Sequence, residues 1–208
     1  MNTWAWATLL LLGAYHGINP GMGWLFAVAR GMQEQSTKAV TWALVPITLG
    51  HALSIGLVVA LAGLIQVVLP IALVKLAVAF ALIGLGLFRL LRRKHFAWGG
   101  MQVGFRDLTF WSFLMASAHG AGLMVLPIVL QTAPGGHEHH IPAETQTSAW
   151  TGIAATLVHT LGYLSVTALV AILVYRKFGL AMLRKGWFNL DLVWAAALIV
   201  TGCIALVA

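Results

Sequence analysis

The stretch Tyr15-His16-Gly17-Ile18-Asn19-Pro20-Gly21-Met22-Gly23-Trp24 decides the fold, because it interrupts an apolar run that extends from Trp4 to Ala29. Pro20 has no N–H to donate and its glycine neighbours tolerate unusual dihedrals, so helical hydrogen bonding must stop here. At membrane depth such a break is tolerated only where the freed backbone groups face protein or a water-filled cavity. A histidine and an asparagine lie at the break, which makes it a candidate site.

The composition around this stretch is typical of a protein with several membrane spans. Of the 208 residues, 61% are hydrophobic and 8% are charged, and the mean hydropathy is +0.93. A soluble domain of this size cannot bury so much apolar surface. The one cysteine, Cys203, excludes a disulfide framework, a Cys-x-x-Cys redox pair and a thiolate zinc site within one chain. The amino-terminal run lacks a basic segment and exceeds signal-peptide length, so we expect it to be retained as a span.

Six apolar stretches reach the roughly 20 residues that a helix needs to cross a bilayer. We place them at residues 4–29, 40–66, 69–91, 108–131, 149–174 and 188–208. The predicted fold class is therefore an all-α membrane protein with six transmembrane helices.

The basic residues indicate the orientation of these spans. Of the twelve Lys and Arg residues, all except Lys75 fall in the loops or span ends on one side of the predicted bilayer. The positive-inside rule makes that side cytoplasmic, so both termini are expected outside a multi-pass protein of the cell's inner (plasma) membrane. The net charge of +7 is thus interpreted as a topology signal, and no nucleic-acid partner is expected.

The chain contains an internal repeat. Its first half matches its second at three places: Thr48–Leu53 with Thr156–Leu161, His16-Gly17 with His119-Gly120, and Ala81-Leu82-Ile83 plus Gly86 with Ala197-Leu198-Ile199 plus Gly202. Three spans per half predict two inverted three-helix repeats, residues 1–95 and 96–208, within one membrane domain, with broken helices at spans one and four. Secondary transporters built this way bind their substrates at the bilayer midplane.

Four histidines fall near the middle of their spans: His16, His51, His119 and His159. Polar residues at this depth usually face a cavity or one another and mark substrate or ion paths. Taken singly, each is equally well interpreted as a packed histidine that bonds a neighbouring carbonyl. As repeat-related pairs at matching depth, they predict one shared site. Imidazole is a common metal ligand and also titrates near neutral pH, so metal binding and proton coupling are both open.

Other residues are candidates for lining the same site. Asn19 offers an amide, and Met22 and Met124 offer thioethers, although each methionine alone is better explained as core packing. Thr48 and Thr156 precede His51 and His159 by three residues and are candidates for the polar lining. Ser54 and Ser117 are expected to bond helix backbone instead. Asp107, Asp191 and Lys75 are expected to be structural: the acids as helix-start residues, and Lys75 by reaching the interface.

The long outer loop carries His137-Glu138-His139-His140 after Pro134-Gly135-Gly136. Three imidazoles and a carboxylate in four positions predict weak capture of a metal ion at the outer surface. A solvated loop enriched in histidine explains the same residues equally well, because they follow no tetrahedral ligand spacing.

The stretch from Leu12 to Met22, followed by His51, resembles the NicO/RcnA-type nickel and cobalt transporters, whose first span carries a His-Gly-x-acid-Pro-Gly-His signature. Those belong to a broader group with lysine exporters, sulfite exporters and CcdA/DsbD-like proteins, built from three-plus-three helix repeats. The resemblance implies that His16, and less directly His51, are metal ligands. This chain has Asn19 in place of the acid and Met22 in place of the second histidine, a change that suits a softer ion such as copper(I), or a different substrate.

The function predicted from the sequence is secondary transport of a transition-metal ion by alternating access around the four histidines, with the ion as substrate and no permanently bound cofactor. One alternative is proton-coupled transport of a small non-metal solute, with an anionic group held at the half-helix that follows Pro20. Another is an accessory subunit of a membrane complex. An enzyme is not predicted, because the sequence shows neither a carboxylate dyad nor a cysteine nucleophile. Beyond membrane lipid and the cargo, a homodimer is compatible with small-residue stretches such as Gly84-Leu85-Gly86 but has no other support in the sequence.

Overall fold

The structure, a computed structural model, describes residues 1–65, 69–91, 104–131, 149–178 and 190–207. These residues form eight α-helices and no strand. The helices are α1 (Thr3–Ile18), α2 (Trp24–Gln33), α3 (Thr37–Ile65), α4 (Ile71–Leu91), α5 (Phe105–Ala118), α6 (Ala121–Gln131), α7 (Ala149–Leu173) and α8 (Leu190–Val207). A short 3-10 turn, Pro20–Met22, lies between α1 and α2, and a π-helical segment, Val174–Phe178, extends α7. The all-α prediction is confirmed.

Two of these helices are long and apolar enough to cross a bilayer: α3, and α7 with its extension as far as Lys177. The pair α5 and α6 makes a third if the two are counted as one bent span. Helices α4 and α8 contribute the shorter apolar stretches Ala72–Phe88 and Ala195–Leu206. Within the described ranges the protein is thus helical, with two to three helices long and apolar enough to cross a membrane.

Both segments that were predicted to be broken are interrupted. Helix α1 ends at Ile18 and α2 begins at Trp24, with Gly23 between them at a φ of 131°. Helices α5 and α6 meet at His119 and Gly120 and are bent by 58°. Gly120 has a φ of 73°, in the left-handed region that side chains other than that of glycine rarely adopt.

Polar side chains lie inside the bundle and large apolar ones lie outside it. On α3, the leucines at positions 49, 53, 57 and 61 form an exposed stripe at four-residue spacing, while His51 and Ser54 are buried. On α7, Leu157, Leu161 and Leu169 are exposed, while His159, Thr160 and Thr167 are buried. This is the reverse of a soluble helix, and it suits a bundle whose surroundings are lipid.

Three helix pairs dominate the packing: α1 with α7, α3 with α5, and α4 with α8. Gly13 lies against His159 and Tyr163, and Gly17 against Tyr163 and Thr167, so α1 and α7 run in the same direction. Helices α3 and α5 also run in the same direction, since Gly50 lies against Thr109 and Phe113 while Ser54 bonds Ser117.

Helices α4 and α8 cross in opposite directions through reciprocal glycines. Gly86 lies against Ala195 and Ile199, and Gly202 lies against Ala79 and Ile83. The two glycines and the two isoleucines are the residues that match between the halves of the sequence. Helix α7 also runs opposite to α3, because Gly152 near its start contacts Val59 near the end of α3.

The predicted helix-start acids lie as expected. Asp107 accepts a hydrogen bond of 2.9 Å from the Gly104 N–H and so stabilises the beginning of α5, which confirms its predicted role. Asp191 lies in the first turn of α8. Lys75 lies within α4 and is partly exposed.

Candidate functional site

Three of the four predicted histidines meet at the centre of the bundle. His16 on α1, His51 on α3 and His159 on α7 are fully buried. Their ring centroids are 4.9 Å apart for His16 and His159, 5.6 Å for His51 and His159, and 5.7 Å for His16 and His51. We call these three residues the histidine cluster. It joins one helix of the second half of the chain to two of the first.

Close helix packing places the rings together. A Cβ atom added to Gly13 would overlap the carbonyl oxygen of His159, and one added to Gly162 would overlap that of Leu10. These two glycines let the backbones of α1 and α7 approach to a distance that any larger side chain would prevent. The orientation of His16 is set by a hydrogen bond of 2.8 Å between its Nδ1 and the Leu12 carbonyl.

The other two rings of the cluster have polar atoms without partners. Both ring nitrogens of His51 and both of His159 are buried and make no hydrogen bond with any described residue. The Leu9 carbonyl faces the His159 ring without closing a bond of normal geometry. Unsatisfied nitrogens in an apolar interior cost about 1–3 kcal/mol each, so their persistence here favours a ligand-binding role over simple packing.

The break beside the cluster is stabilised by protein groups. The Trp24 indole donates to the Ile18 carbonyl at 2.9 Å, and the Tyr163 hydroxyl donates to the Met22 carbonyl at 2.5 Å. Asn19 accepts from the Gly21 N–H through its side-chain oxygen at 2.9 Å, and so begins the 3-10 turn. Side chains thus supply hydrogen bonds to backbone groups that lose their helical partners at the break. Backbone groups away from water need such partners.

Tyr163 is the residue of the site that the sequence analysis did not single out. It is fully buried, and its ring stacks on that of His51 with centroids 3.8 Å apart and planes 10° from parallel. It follows His159 by four residues, one helical turn, on the same face of α7. That spacing is the signal that would have indicated it.

His119 does not join the histidine cluster. The ring contacts that define the cluster join His16, His51 and His159 to one another. Its Nδ1 bonds the Met115 carbonyl at 2.8 Å, the same backbone bond that His16 makes with Leu12. The reason lies in the packing: Gly120, next in the chain, contacts Leu85 and Leu198, which places the α5–α6 break against α4 and α8. The structure thus brings together three of the four histidines through ring contacts, and a shared site of all four stays a prediction.

The remaining candidates divide between core and backbone roles. Met22 and Met124 are fully buried within the main hydrophobic core. Thr156 donates to the Gly152 carbonyl of its own helix at 2.9 Å, whereas the Thr48 hydroxyl is buried without a described partner. Ser54 and Ser117, which were expected to bond helix backbone, bond each other between α3 and α5 at 2.8 Å.

No group of three or more His, Cys, Asp or Glu side chains is arranged to hold a metal ion in the part of the chain that the structure describes. The cluster has the spacing of a three-imidazole site but not the orientation. The planes of His51 and His159 are only 9° from parallel, and that of His16 is steeply inclined to both. His137, Glu138, His139 and His140 lie outside the described residues.

Comparison with known proteins identifies no relative of this chain, so the functional argument depends on the histidine cluster. The resemblance of the Leu12–Met22 stretch to nickel and cobalt transporters stays a prediction. No protein-family model matches the chain, and neither a curated protein nor a solved structure is detectably similar to it.

Proposed function

We propose that the chain is a secondary transporter of a transition-metal cation, and that His16, His51 and His159 bind the cation at the centre of the membrane. The proposal includes six spans in two inverted repeats, in the inner membrane, with both termini outside. The observation that carries it is the histidine cluster itself: three buried imidazoles from three helices, with four ring nitrogens unpartnered.

The directions of the helices support the proposed topology. In a chain of six alternating spans, spans one and five cross the membrane in the same direction, as do spans two and four. Spans three and six cross in opposite directions. The corresponding pairs α1 and α7, α3 and α5, and α4 and α8 follow this pattern. The reciprocal contacts of Gly86 and Gly202 are those expected of two elements related by an approximate two-fold axis.

The chemistry of the cluster supports the proposed cargo. Three imidazoles that bind one ion with metal–nitrogen distances of 2.0–2.1 Å have ring centroids roughly 5 Å apart, close to the separations observed. The two acidic residues whose side chains are described, Glu34 and Asp107, are exposed at helix ends. A buried set of neutral nitrogens without a carboxylate favours nickel, cobalt, copper or zinc over magnesium or calcium.

The proton-coupled alternative with an anionic solute has less support. Its anion would bind N–H groups of the half-helix that follows Pro20, but several of these are already used. The Gly21 N–H bonds the Asn19 side chain, and those of Met22 and Gly23 bond the carbonyls of Asn19 and Pro20. The three imidazoles are the better-supported binding groups.

The proposal is tested by measuring metal in the full chain, purified in detergent, by mass spectrometry after equilibration with nickel, cobalt, copper and zinc in turn. We expect stoichiometric binding of at least one of these ions to the wild type, and loss of that binding in the triple variant His16→Gln, His51→Gln, His159→Gln. His119→Gln is the matched control and should bind as the wild type does, because it removes a buried histidine outside the cluster. Equal metal content in the wild type and the triple variant would refute the proposal.

A further inference from the structure

Tyr163 touches two parts of the molecule that a transporter must move. Its hydroxyl donates to the carbonyl of Met22, the last residue of the 3-10 turn in the broken first span. Its ring stacks on His51 in the histidine cluster. One rigid side chain therefore contacts both the break and the proposed binding site.

The hydroxyl contact holds the break in its present position. The Met22 and Gly23 amides bond the carbonyls of Asn19 and Pro20 within the turn, and the Tyr163 hydroxyl anchors this turn to α7. Both partners are buried, so no water replaces the bond if it breaks. Displacing the turn from the bundle therefore requires the Tyr163 hydroxyl to release Met22.

The ring contact holds the cluster in an orientation that binds no ion. The planes of Tyr163 and His159 both lie within about 10° of the His51 plane, and the three histidines as they stand do not form a metal-holding group. For their nitrogens to converge, the His51 ring must turn. Rotation of the His51 ring destroys its stack on Tyr163. The Tyr163 ring then loses this support and moves, and its hydroxyl moves with it because the two are rigidly joined.

We propose that Tyr163 is a positioning residue that couples occupation of the histidine cluster to opening of the first-span break. The inference rests on the proposed function for the identity of the cargo. The restraint that Tyr163 places on the 3-10 turn, in contrast, depends only on its hydrogen bond to Met22.

Among the described residues, the position that the repeat relates to Tyr163 lacks this device. If His51 matches His159, then Tyr163 corresponds to Ile55, which is fully buried and has no hydroxyl to donate. The α5–α6 break therefore has no counterpart of this tyrosine on α3. The coupling acts on the first-span break and gives the two halves of the transport cycle different controls.

The test is hydrogen–deuterium exchange, read by mass spectrometry, at the Met22 and Gly23 amides of the full chain in detergent. It is run with and without nickel(II) or copper(I). Tyr163→Phe keeps the ring and removes only the donor. We expect it to raise exchange at the break roughly tenfold, the effect of losing one buried hydrogen bond, and to abolish any dependence of that exchange on the ion.

The same variant should bind the ion more tightly than the wild type, by up to about tenfold, because ion binding no longer has to break the hydrogen bond to Met22. Tyr163→Ile, which removes both contacts, should open the break and also bind the ion more tightly, since His51 is free to turn. Ser54→Ala is the matched control: it removes a part-buried hydrogen bond between α3 and α5 and should leave exchange at the break unchanged.

The possible failures are distinguishable. Unchanged exchange in Tyr163→Phe, or an equal rise in Ser54→Ala, would overturn the positioning role even if the wild type binds metal. A wild type that binds neither nickel(II) nor copper(I), with exchange still raised in Tyr163→Phe, would refute these two ions as cargo and support the restraint that Tyr163 places on the 3-10 turn. Exchange that still depends on the ion in Tyr163→Phe would overturn the coupling.

Discussion

At the scale of single residues, the distance between α1 and α7 depends on glycine. Replacing Gly13 by alanine places a methyl group onto the His159 carbonyl, which is backbone and cannot rotate away. We expect Gly13→Ala to destabilise the protein by about 1–3 kcal/mol, the usual cost of overpacking. The variant should also weaken metal binding, because His16 and His159 move apart. Thermal unfolding in detergent and the metal assay measure the two effects.

Gly56 is the matched control for this substitution. Among the described residues, no atom lies within 4 Å of a Cβ built there. Gly56→Ala should therefore leave metal binding intact and raise stability by about 0.5–1 kcal/mol, since alanine favours the helix. Equal behaviour of the two variants would show that close approach of α1 and α7 does not determine the site.

At the scale of elements, the first-span break depends on the cap that Asn19 provides. Its side-chain oxygen accepts from the Gly21 N–H at a part-buried position. Asn19→Ala should cost about 1 kcal/mol or more and accelerate amide exchange across residues 18–24. Asn2→Ala removes the same kind of cap from the start of α1, where Asn2 accepts from Ala5 at 2.9 Å. Asn2→Ala should leave exchange at the break unaltered. If Asn19→Ala also left this exchange unaltered, the 3-10 turn would not need its cap.

At the scale of the whole molecule, the proposed orientation places the first residues of α3 and α7 on opposite sides of the membrane. The antiparallel packing of these helices puts their starts at opposite ends of the bundle. The basic residues Arg30 and Lys38 flank the loop before α3, whereas residues 131–148, before α7, contain no Lys or Arg. With the exposed Cys203 replaced by serine, Ala149→Cys should react with an impermeant maleimide on intact cells. Ser36→Cys should react only after permeabilisation. The reverse labelling pattern would place both termini inside.

Much of the fold was predictable because its causes are local in the sequence. Pro20 and its glycines stop α1 wherever the chain packs, and runs of apolar residues form helices that must avoid water. Asp107 caps α5 from three residues away. The tertiary structure adds which helices pair and in what direction, since those choices depend on small residues such as Gly13 and Gly162 that are far apart in sequence.

The site shows the same division more sharply. Residue type and depth in the spans were enough to identify His16, His51 and His159 from the sequence alone. Only the tertiary structure separated His119 from them, because the contact of Gly120 with α4 and α8 holds its helix end elsewhere. Only the tertiary structure revealed Tyr163, whose partners Met22 and His51 are more than a hundred residues away in the chain. Periodicity records which face of a helix is buried, but the identity of the neighbour on that face is decided by packing.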